Sequence, residues 1–186
     1  MPPGNPYCHT HYSQFPIIAS YGERLLDWLK RYVFPIERKF NDKIYARSVA
    51  DFFLMECLRH GITTSSVYAT THKESVDAFF EASSHLGLRM ACGKIMMDQN
   101  APSMLCDNVD DSYHDSKELL EKWHGISRNI YAITPRFAPT SSPEQLEAAS
   151  SLWREYPDVL LQSHLAETEE ELIWVAELFP DIQDYF

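Results

Sequence analysis

Five stretches with strand character, each followed by one with helix character, run through this 186-residue chain and restrict it to the α/β class. The first extended segment ends at Tyr7–His11. A helix carrying Leu25, Leu26, Trp28 and Leu29 follows, then a loop around Phe34-Pro35. Ala46 to His60 has helical periodicity, with Val49, Phe52, Phe53, Leu54 and Leu58 as its apolar stripe and Gly61 closing it. Thr63–Ala69 is rich in β-branched residues and reads as the second strand. A helix over Ser75–Leu86, stopped at Gly87, leads to a third strand over Arg89–Met96. Asp98 to Asp115 is polar and aperiodic and reads as a loop, with Ser116 capping a short helix to Trp123. Ile130–Thr134 is the fourth strand. Ser142 and Pro143 open a helix to about Arg154, Val159–His164 is the fifth strand, and Thr168 caps a helix through Leu178.

Two parallel architectures suit this order. One is part of a (β/α) barrel, about the first five units of eight, since a whole barrel takes about 250 residues. The other is an open doubly wound sheet of five strands. Periodicity alone does not separate them. There is no Gly-rich phosphate loop, and no repeat at the shorter solenoid periods. With no internal linker, residues 1–186 read as a single domain.

The formal net charge of -11 argues against a nucleic-acid partner, which needs a basic surface. No apolar stretch approaches the roughly 18 residues of a membrane span. The four cysteines, Cys8, Cys57, Cys92 and Cys106, form no C-x-x-C pair and fit free thiols in a reducing cytoplasm.

His9-Thr10-His11 stands at the end of the first strand, and His164 at the end of the fifth. Alternate residues of a strand share a face, so His9 and His11 suit one divalent metal. In parallel α/β folds catalytic groups gather at the carboxyl ends of strands, where His164 would meet them. The bland alternative is a pair of surface histidines near a frayed terminus. Imidazole suits zinc and ferrous iron alike.

Glu167 lies in the strand-to-helix loop three residues after His164, where a general acid or base belongs, although a solvated helix-start carboxylate has the same signature. Glu169, Glu170 and Glu171 read as solvated. Arg136 and Phe137 follow the fourth strand. Arg136 offers a fork of donors for a carbonyl or a heterocycle edge, and Phe137 a stacking face; a loop ion pair and simple packing are the alternatives. Gln14 offers an amide near His11. The remaining histidines have no partner spacing, and Trp28, Phe52, Phe53, Phe79 and Phe80 read as core.

Taken together, Pro3-Gly4, His9-Thr10-His11-Tyr12-Ser13-Gln14, Leu26-Asp27-Trp28-Leu29 through Tyr32-Val33-Phe34-Pro35, Gly61-Ile62-Thr63-Thr64, Gly93-Lys94 with Met97-Asp98, Thr134-Pro135-Arg136-Phe137 and Gln162-Ser163-His164-Leu165-Ala166-Glu167 resemble, in order, the guanine deaminases of the amidohydrolase superfamily. The resemblance implies zinc-dependent hydrolysis of guanine to xanthine and ammonia by a cytoplasmic enzyme of purine catabolism. It implies metal ligation by His9, His11 and His164, a proton shuttle at Glu167, and purine contacts from Gln14, Arg136 and Phe137. The implied partner is a small purine, with a homodimer for the full-length family.

The chain departs from the family's pattern at Asn5-Pro6-Tyr7-Cys8, where apolar residues and an Asp are usual. The resemblance further implies an N-terminal β-domain, a further metal-site His and a water-orienting Asp. These are expected to lie outside the chain, which would leave it weakly active or inactive alone. A non-catalytic truncated paralogue or interaction fragment, and an amidohydrolase acting on another amino-heterocycle, are the competing expectations.

Overall fold

The computed structural model describes residues 4–21 and 24–182; Pro3 lies outside them. Six parallel strand segments form one sheet: β1 (Asn5–His11), β2 (Ile62–Tyr68), β3 (Arg89–Gly93), β4 (Ile95–Met96), β5 (Ile130–Pro135) and β6 (Leu160–Leu161). β1, β2, β3 and β5 lie side by side, β4 pairs the end of β5, and β6 pairs β5. Neighbours in space therefore follow chain order, without the reversal that defines a doubly wound sheet.

The sheet also curls. β6 stands three strand spacings from β2, about 14 Å in a flat sheet. Yet the Gln162 amide, just past β6, accepts from Ser66 Oγ at 2.6 Å and donates to the Val67 carbonyl at 3.1 Å, both on β2. Such bonds reach across the concave interior of a barrel. The doubly wound alternative is excluded, and the architecture is part of a TIM-like barrel.

Helices cover the convex side. The principal ones are α3 (Lys43–Arg59), α4 (Lys73–Leu86), α5 (Val109–Trp123), α6 (Pro143–Glu155) and α7 (Glu169–Leu178), after the short α1 (Leu25–Trp28) and α2 (Phe34–Glu37). On α4, Val76, Phe79, Phe80 and Ser83 fall at i, i+3, i+4 and i+7 and are all buried. Val76, Phe79 and Phe80 meet Phe53 and Leu54 of α3, Trp123 of α5 and the sheet residues Val67, Met90 and Tyr131 in the main core. Gly87, at φ 66°, supplies the left-handed residue that closes α4. Gly93 permits the close approach of β3 to β5, because a Cβ there would lie 1.7 Å from the Ala132 carbonyl oxygen. None of the described helices is long and apolar enough to cross a membrane.

Several boundaries differ from the sequence expectation. Phe34-Pro35 is helical: a π-helical turn over Leu29–Val33 runs directly into α2, which carries Pro35 in its first turn. α3 starts at Lys43 because Asp42 caps it, accepting from Ile44 N and Tyr45 N. α4 likewise starts at Lys73 rather than Ser75. α5 starts at Val109 under an Asn108 cap. Its inner face is built partly of small polar residues, Ser112 and Ser116, which hid the helical period; Ser116 is a buried interior residue, not a cap.

The strand expected over Arg89–Met96 breaks at Lys94, whose fully buried side chain pairs with Asp107. Only Leu160–Leu161 of the expected fifth strand is paired as strand. Phe52 is 56 % exposed and rests on Phe15 outside the core, while Trp28 is half-buried and turns toward the cavity described below.

Candidate metal centre and purine pocket

The end of β1 is not a plain strand. Tyr7 pairs with Ser65 and Thr10 with Val67, so three steps on β1 match two on β2, and a bulge falls at Cys8–His9. Bulges re-aim side chains beside active sites. Here His9 and His11 converge with His164, and one ligand atom from each lies within 4.8 Å of the others. Zinc–nitrogen bonds of about 2.0–2.1 Å in a tetrahedral set place nitrogens about 3.3 Å apart, so the set needs only a small adjustment, in which the 2.9 Å pair of His11 and His164 opens slightly.

His164 is oriented by the main chain of Arg136. Its Nδ1 lies 2.7 Å from the Arg136 carbonyl oxygen and its backbone N 3.0 Å from the same atom. A carbonyl only accepts, so Nδ1 carries the proton and Nε2 presents its lone pair. That lone pair faces His11 Nε2 at 2.9 Å. His11 Nδ1 is buried, with no partner among the described residues. The donor set thus fits a cation better than it fits its own hydrogen bonding. Burial, then the Arg136 charge and the other two histidines, hold His11 well below its ordinary pKa. Burial likewise holds His164 down to about 4, against the hydrogen bond to Arg136. Both rings are neutral near pH 7, the state a metal ligand requires. Tyr68, at the end of β2, stacks on His11 at 4.6 Å and leans on His164 at 4.3 Å. It is a wall of the site that sequence reasoning missed.

A cavity of about 170 Å³ opens beside the histidines, lined further by Gln14, Trp28, Leu29, Arg136, Phe137 and Glu167. An apolar cavity of about 150 Å³ holds a benzene ring, so this one has the scale of a single planar heterocycle. All seven residues expected at the site border it: His9, His11, His164, Glu167, Gln14, Arg136 and Phe137. Arg136 is 2 % exposed and ion-paired to Glu37, with Nη1 at 2.9 and 3.2 Å from the two carboxylate oxygens. Its guanidinium also lies over Phe34 at 5.6 Å. Glu37 was invisible as a site residue because its partner is 99 positions away.

Glu167 is aimed by its own loop. Ala166 adopts φ 56°, uncommon for a residue with a Cβ, and turns the chain between His164 and Glu167. The bend is held by Glu171, whose carboxylate accepts from Ala166 N at 3.2 Å and Glu167 N at 2.9 Å. Glu171 is 1 % exposed, so the expectation of a solvated carboxylate is corrected. The signal was present: Thr168-x-x-Glu171 is a capping-box pattern, and Thr168 Oγ1 does accept from Glu171 N. Desolvation in the cavity, then the Glu171 carboxylate, raise the Glu167 pKa, opposed by His9 and Arg136.

Comparison with known proteins agrees with this geometry. Residues 7–185 match the model of the amidohydrolase family. The guanine deaminase of Escherichia coli (strain K12) is 51% identical over 183 residues, which cover 98% of this chain and 42% of that protein. The solved structure of E. coli guanine deaminase superposes with a TM-score of 0.96 over 98% of this chain and 42% of that one. The guanine deaminase from C. acetobutylicum, solved with guanine in its active site, gives 32% identity and a TM-score of 0.93, covering 98% and 44%. The chain thus spans less than half the length of these relatives. With a family match over nearly its full length and the parallel barrel segment to go with it, this chain belongs to the amidohydrolase family.

Proposed function

We propose that the protein hydrolyses guanine to xanthine and ammonia, using one divalent metal, zinc by preference, held by His9, His11 and His164. The observation that carries this reading is the convergence of three imidazoles on the cavity that Arg136, Phe137, Gln14 and Glu167 also line. When bound, the metal supplies a water acidic enough to attack near neutral pH, lowering its pKa from 15.7 toward roughly 7.

The chain's own residues do the rest. Arg136 donates N–H groups to the carbonyl edge of the purine, Gln14 adds an amide, and Phe137 covers the ring plane. Glu167 accepts one proton from the attacking water and gives it to the ring nitrogen; it then passes the second, from the hydroxyl of the adduct, to the amine, which leaves as ammonia while the carbonyl forms. Water and guanine are consumed, and xanthine and ammonia are released. Residues 1–186 act in this reading as one part of a barrel domain, in a cytoplasmic protein, as the four free thiols suggest. A homodimer goes with the same reading, and sedimentation of the purified protein checks it.

Every proposed purine contact is in this chain, so binding is the direct test. Titrating zinc-loaded protein with guanine in a calorimeter is expected to give saturable binding at one site. Arg136→Lys, which keeps the charge but loses the fork, is expected to weaken it about tenfold. Tighter binding of an amino-triazine than of guanine would overturn the substrate assignment.

A further inference from the structure

Arg136 is buried, charged and beside the cavity, which raises the question of what fixes its guanidinium. A guanidinium has five N–H donors. Nη1 donates to the Glu37 carboxylate, at 2.9 Å to Oε2 and 3.2 Å to Oε1. Among the described residues Nε and Nη2 have no hydrogen-bond partner, and Arg136 lines the cavity. One edge of the group is therefore occupied and the others are open for a ligand.

Glu37 is tied in as well. It is 1 % exposed, and buried Ser13, the neighbour of Gln14, helps to favour its charged form. It sits on α2 directly after the π-helical turn, in the helical stretch whose Leu25, Trp28 and Leu29 line the cavity. The carboxylate thus joins two pieces of the pocket: the helical stretch and the loop after β5.

We propose that Glu37 is a positioning residue for substrate recognition, clamping Nη1 of Arg136 so that the remaining guanidinium donors meet the purine carbonyl in one orientation. The inference rests on the purine reading above for its ligand, but the clamp can be tested separately. An Arg side chain is flexible, and ordering it beforehand removes that loss from the binding step. Without a carboxylate partner the same guanidinium would be an uncompensated buried charge.

The first measurement needs no variant. In nitrogen-15 spectra of the zinc-loaded protein, the Arg136 Nη signals are expected to be separate and slowly exchanging. A single averaged signal, from a freely turning guanidinium, would overturn the clamp.

The second compares guanine with 2-aminopurine, which lacks the ring carbonyl, on Glu37→Gln. The variant is expected to lose about tenfold of guanine affinity. Its 2-aminopurine affinity should move less than about threefold, and zinc should stay at one per chain. Equal losses for both purines would mark Glu37 as a structural residue only and sink the proposal. Should Glu37→Gln fail to fold, Glu37→Asp, which keeps the charge and shortens the reach, is read the same way. If the unmodified protein binds no guanine, the purine reading falls, while the Arg136 signals still decide the clamp.

Discussion

His11 Nε2 and His164 Nε2 lie 2.9 Å apart, although their strands stand four spacings from one another in the sheet, about 19 Å if it were flat. One contact therefore reports both the fold and the site. It forms only if the parallel strands curl into a barrel wall, and it brings together side chains 153 positions apart in sequence. The neutral state of both rings, imposed chiefly by burial, removes the repulsion that two imidazolium ions would feel there.

The Arg136–Glu37 pair should dominate the response of this region to mutation. Arg136→Ala leaves an almost fully buried carboxylate without its cation, and a cost of about 3–5 kcal/mol in unfolding free energy is expected. Combining Arg136→Ala with Glu37→Gln should cost less than the sum of the two single changes. Urea denaturation of the four proteins checks this, and strict additivity would count against a direct pair.

Glu171 is expected to act on Glu167 through the backbone. Glu171→Ala frees the N–H groups of Ala166 and Glu167 and removes the nearby charge that contributes to the raised Glu167 pKa. The Glu167 carboxyl should then titrate at lower pH, seen as a shift of its carbon-13 signal. Thr168→Ala, which removes only the cap, should cost about 1 kcal/mol of stability and leave that titration in place. An unmoved Glu167 titration in Glu171→Ala would contradict the coupling.

The thiols give a test of the core. Cys57 and Cys92 are buried, and desolvation pushes Cys57 up to about 11 and Cys92 higher still. A thiol whose folded pKa exceeds its unfolded value of about 8.5 adds stability below that unfolded value and loses it as pH rises through the folded pKa. Stability should therefore fall between pH 9 and pH 11 (about 8.5 to about 11 for Cys57), and Cys57→Ser should flatten that slope. At pH 8 a maleimide should reach the exposed Cys8 first and spare Cys57 and Cys92 until the protein unfolds. Rapid labelling of all four thiols in the folded protein would contradict this packing.

Much of this was legible in the sequence, and the residues show why. The Gly87 stop marks the C-terminal end of α4, and Phe79 and Phe80 lie in the core as their spacing predicts, because both signals are local to the helix. α5 was read short because Ser112 and Ser116 occupy its inner face, so the buried stripe carried no hydrophobic signal. The three histidines and Arg136 follow from their places at strand ends. Glu37 and Tyr68 do not, since each acts only through residues brought to it by the curl of the sheet. Glu171 was readable from its cap spacing and was hidden by its place in an acidic run.

The metal centre is the claim on which the rest depends, and anomalous diffraction at the zinc edge tests it most directly. Crystals of protein loaded with one equivalent of zinc should show a single peak enclosed by His9, His11 and His164, about 2.0–2.1 Å from a ring nitrogen of each. No peak among these rings, or one of equal height after His11→Ala and His164→Ala, would contradict the account.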